Sequence, residues 1–527
     1  MRLISPVLAL LLLCAPSAQA APARHTADVC VYGGTASGMM AAVAAARTGK
    51  SVIVVEPSRW LGGMVGGGLG VSTDCRYPRD VGGLTRVMLE KDKALGPEGA
   101  PGKQQAFRDL FAALVKEHGI TVLYEHRLGA AEKAGARIEA IVLDHAPPEA
   151  DGCPAATATT PGAARVAATV FIDASYEGDL IAAAGVPYTV GRESRDQYGE
   201  SMAGTGSLTV FDIDPYVIPG DPASGLLPMV DPEPLGPPGS ASRHTMAYNF
   251  RLAWVPAGEG SPIGPPSHYD PARYALVRRA LETDPKLVNW PHNNYDRNAL
   301  VSGGLLDRQA GYPDAAWPER AAIWREWIDH LKIMHQITGA TEELRRGDYP
   351  DTGDLPHQLY IRLGRRMIGA YVMTQQNITH ERGVDDSAGL GYYNVAMFPC
   401  RLVATDGRIA AEGSIYDMAS PGPYPIAYRA LTPRREDCVN LLAPVCLSAS
   451  YVAISSMRLE PTYMILGESA GIAAAQAVDE GVDVQAIDPA RYRAALLEAG
   501  QVIAWDGTPY EQYREQYEAW KRKQGRP

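Results

Sequence analysis

The sequence is poor in cysteine and in positive charge, and both shortages exclude classes of function. Only seven cysteines occur in 527 residues, and no Cys-x-x-Cys or His-Glu-x-x-His is present, so no motif supports a bound metal. Lysine and arginine number 49 against 60 acidic residues, no long basic run occurs, and the net charge is -11. Because a nucleic-acid partner requires a basic face that displaces counterions, we expect no nucleic-acid binding.

The first twenty residues, MRLISPVLALLLLCAPSAQA, predict an export signal, residues 1–20, that is removed after Ala20. Their apolar run is shorter than the roughly 20 residues that a membrane span needs, which disfavours the alternative of a membrane anchor. Residues 18–20 read Ala-Gln-Ala and match the small-residue cleavage pattern. We therefore expect a periplasmic or secreted protein without a stable membrane span.

The segment that begins at Asp28 predicts a βαβ unit. In DVCVYGGTASGMMAAVAAARTGKSVIVVE an apolar strand leads through a glycine-rich turn to an Ala-rich helix, and a second apolar strand ends at Glu56. Gly33 and Gly38 are the outer glycines of a dinucleotide-binding G-x-G-x-x-G, but Thr35 replaces the middle glycine and loosens the match. The alternative is a glycine-rich turn in an ordinary βαβ unit. We predict dinucleotide binding, with a ribose diol on Glu56 and phosphate contacts from Gly33, Gly34, Thr35, Ala36, Ser37 and Gly38.

A second glycine-rich stretch, PSRWLGGMVGGGLG, follows Glu56 directly. Its six glycines allow a ligand to approach the backbone closely. At this point the sequence resembles the FAD-dependent oxidoreductases of the glutathione-reductase-like flavoprotein group, whose members read strand, GG-x-x-x-G, strand, acid and LGGM. The resemblance implies a Rossmann-like α/β domain that binds FAD, and it adds Gly62, Gly63 and Met64 to the cofactor contacts.

Two further segments are similar to this family. VFIDASYEGDLIAAAG resembles the strand and short helix that return to the cofactor, and it implies a contact from Asp173. NLLAPVCLSASYVAISSMRLEPTYMILGESAGIAAAQA resembles the closing strand and helix, and it implies flavin contacts from Arg458 and Thr462 at the start of that helix. Gly467 and Gly471 share one face of this helix, so we expect them to bring it close to the sheet or the cofactor.

The middle of the chain is similar to exported members of the same family, some of which carry the label xanthan lyase. The similar stretches include AYNFR, which ends at Arg251, and LYIRLGRRMIGAYVMTQ, which begins at Leu359. One pattern departs from the family. Where G-x-Y-N-x-D-S-H is expected, VAMF follows Tyr393 and Asn394, so the acid and the histidine of that pattern are replaced by apolar residues. The resemblance covers nearly all of the chain after the export signal.

The same markers predict the domain organisation. The FAD-binding domain is expected in two parts, residues 27–195 and 400–485, around a substrate or cap region of mixed α and β structure at residues 196–399, here called the middle region. Residues 486–527 are predicted to form a helical tail. Within the middle region, apolar residues at helical spacing predict a helix from Trp317 to Gly339 that packs into the core.

The mechanism is predicted from the cofactor and from polar residues of the middle region. The sequence contains no second nucleotide-binding unit, that is, no further strand, glycine turn, helix and acid that could bind NADPH. We therefore expect hydride to come from a small-molecule substrate and to pass to oxygen or an unknown carrier. A histidine suits general-base work and an arginine suits a polar or anionic substrate, although a structural role is the alternative for each histidine. The first candidates are His244, His357, Tyr393 and Arg362, and the further candidates are His292, Arg251 and Arg365.

Three functions stay open on the sequence. The first is an FAD oxidase or dehydrogenase that acts on a small polar molecule, such as an alcohol, an amine or a sugar derivative. The second is a lyase or isomerase that uses the flavin transiently. The third is a non-catalytic protein that binds flavin.

Overall fold

The computed structural model describes residues 21–71, 74–97, 99–291, 299–306, 308–417, 420, 422–508 and 510–523. The predicted export signal and the candidate His292 lie outside these ranges. The strands are β1 (Ala23–Tyr32), β2 (Val52–Glu56), β3 (Thr121–Tyr124), β4 (His126–Ala134), β5 (Arg137–His145), β6 (Thr160–Asp173), β7 (Tyr188–Thr189), β8 (Leu208–Phe211), β9 (Val230–Asp231), β10 (Trp254–Val255), β11 (Val288–Asn289), β12 (Val301–Ser302), β13 (Glu343–Leu344), β14 (Arg366–Met367), β15 (Ser387–Gly391), β16 (Val395–Met397), β17 (Arg401–Thr405), β18 (Arg408–Glu412), β19 (Ile415–Asp417), β20 (Tyr424–Ala427) and β21 (Leu441–Leu442). The helices are α1 (Ala36–Arg47), α2 (Gly63–Gly66), α3 (Gly83–Ala94), α4 (Lys103–Glu117), α5 (Asp179–Ala183), α6 (Arg195–Tyr198), α7 (Ala275–Thr283), α8 (Trp317–Thr338), α9 (Gln375–Ile378), α10 (Tyr451–Met457), α11 (Glu460–Glu480), α12 (Pro489–Glu498) and α13 (Glu511–Lys523).

The main sheet has the strand order β3-β2-β1-β6-β5-β4, with β21 beside β6. β1 runs parallel to β2 and β6, whereas β5 pairs antiparallel with both β4 and β6. The second half of β1 and all of β2 are buried, as is typical of parallel strands that are covered on both faces. Because these strands are parallel, their last residues, Tyr32, Glu56 and Asp173, meet at the edge where α/β sheets bind ligands. The predicted α/β class is confirmed.

Helix α11 packs directly on α1 beside this sheet. A side chain at Gly467 would place its Cβ 2.1 Å from the Ser37 carbonyl oxygen, and one at Gly471 would lie 2.2 Å from the Ala41 carbonyl oxygen. The two glycines therefore let α11 approach α1. The glycine face is thus turned toward α1, at Ser37, which is itself one of the predicted phosphate contacts, and the expected approach to the cofactor stays a prediction.

The middle region contains short strands, the long helix α8 and an apolar core of its own. Its strands β8 and β9 form a four-stranded sheet with β17 and β18, which follow directly after the predicted boundary at residue 399. Helix α8 spans Trp317–Thr338, which confirms the predicted helix, and it buries Trp327 and Ile328. Phe211, Leu276 and neighbouring apolar residues form the second core.

The C-terminal helix α13 follows a tyrosine that packs on the rest of the protein. Tyr510, just before α13, packs its ring 4.8 Å from the ring of Tyr77. In the described part of the chain, no helix combines the length and the apolar character that a membrane span requires. The cysteines there, from Cys30 to Cys446, are free thiols.

Candidate functional site

The glycine-rich turn after β1 is closed by the side chain of Thr35. Gly33 has a φ of 97°, and a Cβ there would lie 2.7 Å from the Ser175 amide nitrogen, so this position requires glycine. Thr35 has an ordinary φ of -62°. Its hydroxyl accepts a hydrogen bond from the Gly38 N–H at 3.1 Å and donates one to the Ala174 carbonyl at 2.8 Å. Threonine therefore caps α1, and its presence in the motif does not disrupt the turn.

Glu56 ends β2 beside this turn. Its carboxylate accepts hydrogen bonds from the N–H groups of Gly34 and Ser58, each at 2.8 Å. The side chain is 9% exposed, and burial raises its pKa. Each carboxylate oxygen has a further lone pair, so these bonds leave acceptors for a ribose diol. The position suits the ribose contact, which stays a prediction.

Glu56 lines a cavity at the carboxyl edge of the sheet. Part of the wall comes from Gly33 and Thr35 in the turn, and part from Ser175 and Tyr176 after β6. The middle region, which we expected to hold substrate, also contributes to this wall. Its residues there are Tyr312, Trp317, Trp324, His357 and Gln358.

The turn after β6 is held by buried carboxylates. Asp173 is fully buried; its Oδ1 accepts hydrogen bonds from the N–H and hydroxyl of Ser175, and its Oδ2 accepts one from the Ile181 N–H. Asp173 therefore positions the turn, and the cofactor contact that the resemblance implied stays a prediction. Asp179 accepts two hydrogen bonds from Arg320 of α8, at 2.7 and 2.8 Å, which tie the turn to the middle region.

Tyr176 joins the second glycine-rich loop to α11. The Met64 N–H donates to the Tyr176 hydroxyl at 3.0 Å, and this hydroxyl donates to Glu460 Oε1 at 2.6 Å. Gly63 has a φ of 49°, and a Cβ there would lie 2.4 Å from the Tyr176 oxygen. A Cβ at Gly62 would lie 2.3 Å from a neighbouring aromatic ring. The loop therefore needs glycine at these two positions, because a side chain at either one would collide with a neighbouring aromatic residue.

The start of α11 carries polar atoms that have no partner among the described residues. Glu460 is 2% exposed, its Oε2 accepts no hydrogen bond, and burial raises its pKa to about 8. The hydroxyl of Thr462 is buried and also has no hydrogen bond. Arg458 donates to the Tyr360 hydroxyl at 3.2 Å and to the Ala396 carbonyl at 2.9 Å, while its Nε has no acceptor. Glu460 was not predicted from the sequence, where its one local signal is its place directly before the proline of the closing helix.

These features fit an FAD. A glycine turn at a helix N-terminus suits the pyrophosphate, and an acid at the end of the second strand suits the ribose. Buried polar atoms without partners are costly, and the polar edge of a cofactor at the start of α11 would supply partners for the Thr462 hydroxyl and the Arg458 Nε. The helix N-terminus there also favours negative charge on that ligand.

The four catalytic candidates do not share one cavity in the described chain. His357 lines the cavity of Glu56. Arg362 is buried and its guanidinium carbon lies 4.2 Å from the centroid of an aromatic ring. Tyr393 is partly buried and has an arginine guanidinium 5.1 Å from its ring centroid. His244 lines a second cavity. A single catalytic group of these four side chains is therefore not formed.

The second cavity contains the one group of residues in the described chain with the geometry of a metal site. Asp231, Glu233 and His244 each place a ligand atom within 4.8 Å of the others. Arg401 lies 3.3 Å from both Asp231 Oδ2 and His244 Nε2. Because Arg401 pairs with Asp231 and Arg243 pairs with Glu233, and both guanidinium groups would repel a cation, we keep the prediction that no metal binds there.

Known structures show distant likeness to parts of the chain. Thioredoxin reductase of T. acidophilum is 16% identical over 28% of this chain and 35% of its own, with a TM-score of 0.17. The 3-ketosteroid-delta4-(5alpha)-dehydrogenase of Rhodococcus jostii RHA1 is 14% identical over 32% of this chain and 53% of its own, with a TM-score of 0.20. This chain thus spans about a third to a half of those proteins, and TM-scores this low carry no argument about function.

Sequence comparison is more decisive. No curated protein is a significant match. The family model described as FAD dependent oxidoreductase matches residues 28–496, which include the glycine-rich turn, Glu56, the turn after β6, all of α11 and most of α12. The chain therefore belongs to the FAD dependent oxidoreductase family, and its cofactor is FAD.

Proposed function

We propose that the protein oxidises a small polar substrate, such as an alcohol, an amine or a sugar derivative, by hydride transfer to FAD. The observation that carries the proposal is Glu460, a buried carboxyl with one unused oxygen and a pKa raised to about 8 by burial. When a carbon loses hydride, its O–H or N–H group must lose a proton. A carboxyl with a pKa near the working pH is suited to accept that proton.

Hydrogen bonds orient Glu460 for this role. The Tyr176 hydroxyl donates to Oε1 at 2.6 Å, which leaves Oε2 as the acceptor for a substrate proton. The Met64 N–H donates to the same hydroxyl, so the phenol cannot rotate its hydrogen toward the backbone. The Glu460 carboxyl, at the first residue of α11, is thereby held in place next to the second glycine-rich loop.

Buried guanidinium groups near this helix start favour a polar or anionic substrate. Arg458 donates to the neutral oxygens of Tyr360 and Ala396. Arg362 lies 4.8 Å from the Tyr360 ring centroid, and burial, with the nearby charges of Arg458 and Arg251, lowers its pKa to about 9. The resulting positive potential stabilises a substrate that is rich in hydroxyl oxygens or carries a carboxylate.

When bound, FAD supplies the acceptor of the two electrons in this reaction. The protein's own groups bind the substrate, hold it in place and take its proton. We further propose that the chain is exported to the periplasm or secreted, which residues 1–20 support. Reduced nicotinamide is not expected outside the cytoplasm, so the substrate is the electron source, and oxygen or an unknown carrier reoxidises the protein.

Anaerobic bleaching of the flavin absorbance tests the proposal. The mature holoprotein is titrated under nitrogen with carbohydrates, amines and acids, and we expect the absorbance to bleach with the true substrate only. Turnover without any external acceptor would favour a lyase or isomerase instead. A flavin that resists even chemical reductants would favour a binding protein.

A pair of variants tests the role of Glu460. Glu460→Gln removes the proton acceptor and is expected to slow flavin reduction at pH 8 by about 100-fold or more, with FAD still bound. Glu468→Gln is the matched control, because Glu468 is also buried in α11 but accepts hydrogen bonds from the Leu84 N–H and from Gln501. Equal rates in the two variants would exclude Glu460 as the base.

A further inference from the structure

His357 has the position and the unused atoms of a ligand-binding residue. It lines the cavity that contains Glu56, it is 4% exposed, and neither ring nitrogen has a hydrogen-bond partner within the described chain. Its ring stacks on Trp60, with centroids 4.3 Å apart and 12° between the planes, and it meets Tyr349 edge-on at 5.2 Å. The stacking fixes the ring plane, and buried nitrogens without partners are the kind of atoms that a bound ligand satisfies.

Trp324 of α8 offers a second unused donor in the same wall. Its side chain is 7% exposed, and its Nε1–H has no acceptor among the residues described. The indole packs on Phe250, with ring centroids 5.6 Å apart. The indoles of Trp60 and Trp327, by contrast, both donate their N–H to protein oxygens. Trp254, Trp290 and Trp505 also have no acceptor for their indole N–H among the described residues, but these three do not line the cavity that contains Glu56, whereas Trp324 does.

The imidazole of His357 acts as a neutral group. Burial and the nearby Arg108 guanidinium hold the pKa of His357 well below its ordinary value. A neutral imidazole presents one donor and one acceptor, and Trp324 adds a second donor. Adenine carries ring-nitrogen acceptors beside an amino donor, and ribose hydroxyls both donate and accept, so an adenosine group matches this set.

We propose that His357 and Trp324 bind the adenosine half of FAD by hydrogen bonds, so that the middle region holds the nucleotide as well as the substrate. The same cavity contains the glycine-rich turn, where the pyrophosphate is expected, and Glu56, where the ribose is expected. In the described chain, the residues that line this cavity do not include those of the α11 start. The adenosine half is thus the part of FAD that reaches the two side chains.

Ligand fragments separate the two halves of FAD in the test. The full mature chain is deflavinated, and its affinities for FAD, ADP and FMN are measured by calorimetry in the wild type, His357→Phe and Trp324→Phe. His357→Phe keeps an aromatic ring to stack on Trp60, and Trp324→Phe keeps one to pack on Phe250. Both variants remove the ring nitrogens, and Trp324→Phe also removes part of the indole ring, a loss that the control Trp254→Phe below reproduces. We expect each variant to bind FAD and ADP about tenfold more weakly and FMN unchanged.

Control variants from the middle region reveal general effects of aromatic replacement. His335 stacks on Trp254 with centroids 5.3 Å apart and lies away from the cavity wall. His335→Phe and Trp254→Phe are expected to leave all three affinities unchanged. Unaltered ADP affinity in both cavity variants would overturn the proposal, and so would a loss confined to FMN. The release rate of FAD from the holoproteins, followed by fluorescence, gives a measurement that needs no refolding and must rise in the cavity variants.

Discussion

Replacing Glu460 with glutamine should flatten the dependence of stability on pH. In the folded protein, burial raises the pKa of Glu460 from 4.5 to about 8, so the folded state holds a proton that the unfolded state has released. This contribution is complete below pH 4.5 and is lost as the pH rises through about 8. The free energy of unfolding of the wild type therefore falls across this window, and the uncharged glutamine lacks that fall.

The magnitude follows from the difference between the two pKa values. At about 1.36 kcal/mol for each pKa unit, the difference between about 8 and 4.5 gives an upper limit of about 5 kcal/mol. Relaxation of the surroundings lets water reach an ionised carboxylate, which reduces the penalty. We therefore expect about 2 to 3 kcal/mol between pH 5 and pH 8. Glutamine keeps an oxygen that accepts the hydrogen bond from Tyr176, so packing is preserved.

Urea unfolding at pH 5 and pH 8, at equal FAD occupancy, measures this difference. The wild type is expected to lose about 2 to 3 kcal/mol more stability over this window than Glu460→Gln. Glu468→Gln provides a second reference, because burial raises the pKa of Glu468 only to about 7 and its removal should flatten the curve less. Parallel curves for the wild type and Glu460→Gln would refute the assignment of a buried, protonated carboxyl.

Three further changes test the FAD site. Glu56→Ala is expected to weaken FAD binding by about 1 to 3 kcal/mol, because the ribose loses its acceptor; an unchanged affinity in a flavin titration would contradict the assigned register. Gly467→Val is expected to lower FAD occupancy more than Ala475→Val, because a Cβ at Gly467 would lie 2.1 Å from a backbone oxygen of α1. Equal occupancy of the two variants at equal folded yield would show that this helix contact does not support the site. Tyr176→Phe removes a hydrogen bond that lowers the pKa of Glu460, so the pH midpoint of anaerobic flavin reduction should rise by about one unit; an unchanged midpoint would separate Glu460 from the reaction.

The sequence was sufficient wherever the determining interactions are local. The apolar run, the glycine turn and the Ala-rich helix predicted β1, α1 and β2, and these form at Ala23–Tyr32, Ala36–Arg47 and Val52–Glu56. The helix predicted from Trp317 forms for the same reason, because apolar side chains at helical spacing need only one buried face. Composition and periodicity describe neighbouring residues only, and they predicted these local elements of secondary structure correctly.

Residues whose properties depend on distant neighbours were not predictable in this way. His357 was a candidate base because a free imidazole titrates near neutrality, but its ring lies between Trp60 and Tyr349 and burial holds its pKa well below the ordinary value. Glu460, by contrast, was not among the candidates predicted from the sequence. Its pKa and its orientation come from burial and from the Tyr176 hydroxyl, and neither is visible in the residues around it in the chain.

Thr35 shows how a local motif depends on a distant strand. A glycine is needed at this position only if a side chain would stand between the backbone and the pyrophosphate. Here the hydroxyl is bound on one side by the Gly38 N–H and on the other by the Ala174 carbonyl, so it is held against the turn. The Ala174 acceptor directly follows β6, which lies beside β1 in the sheet. The turn after β1 and the turn after β6 are therefore joined by this hydrogen bond. Thr35 fits the turn after β1 because the turn after β6 supplies the acceptor for its hydroxyl.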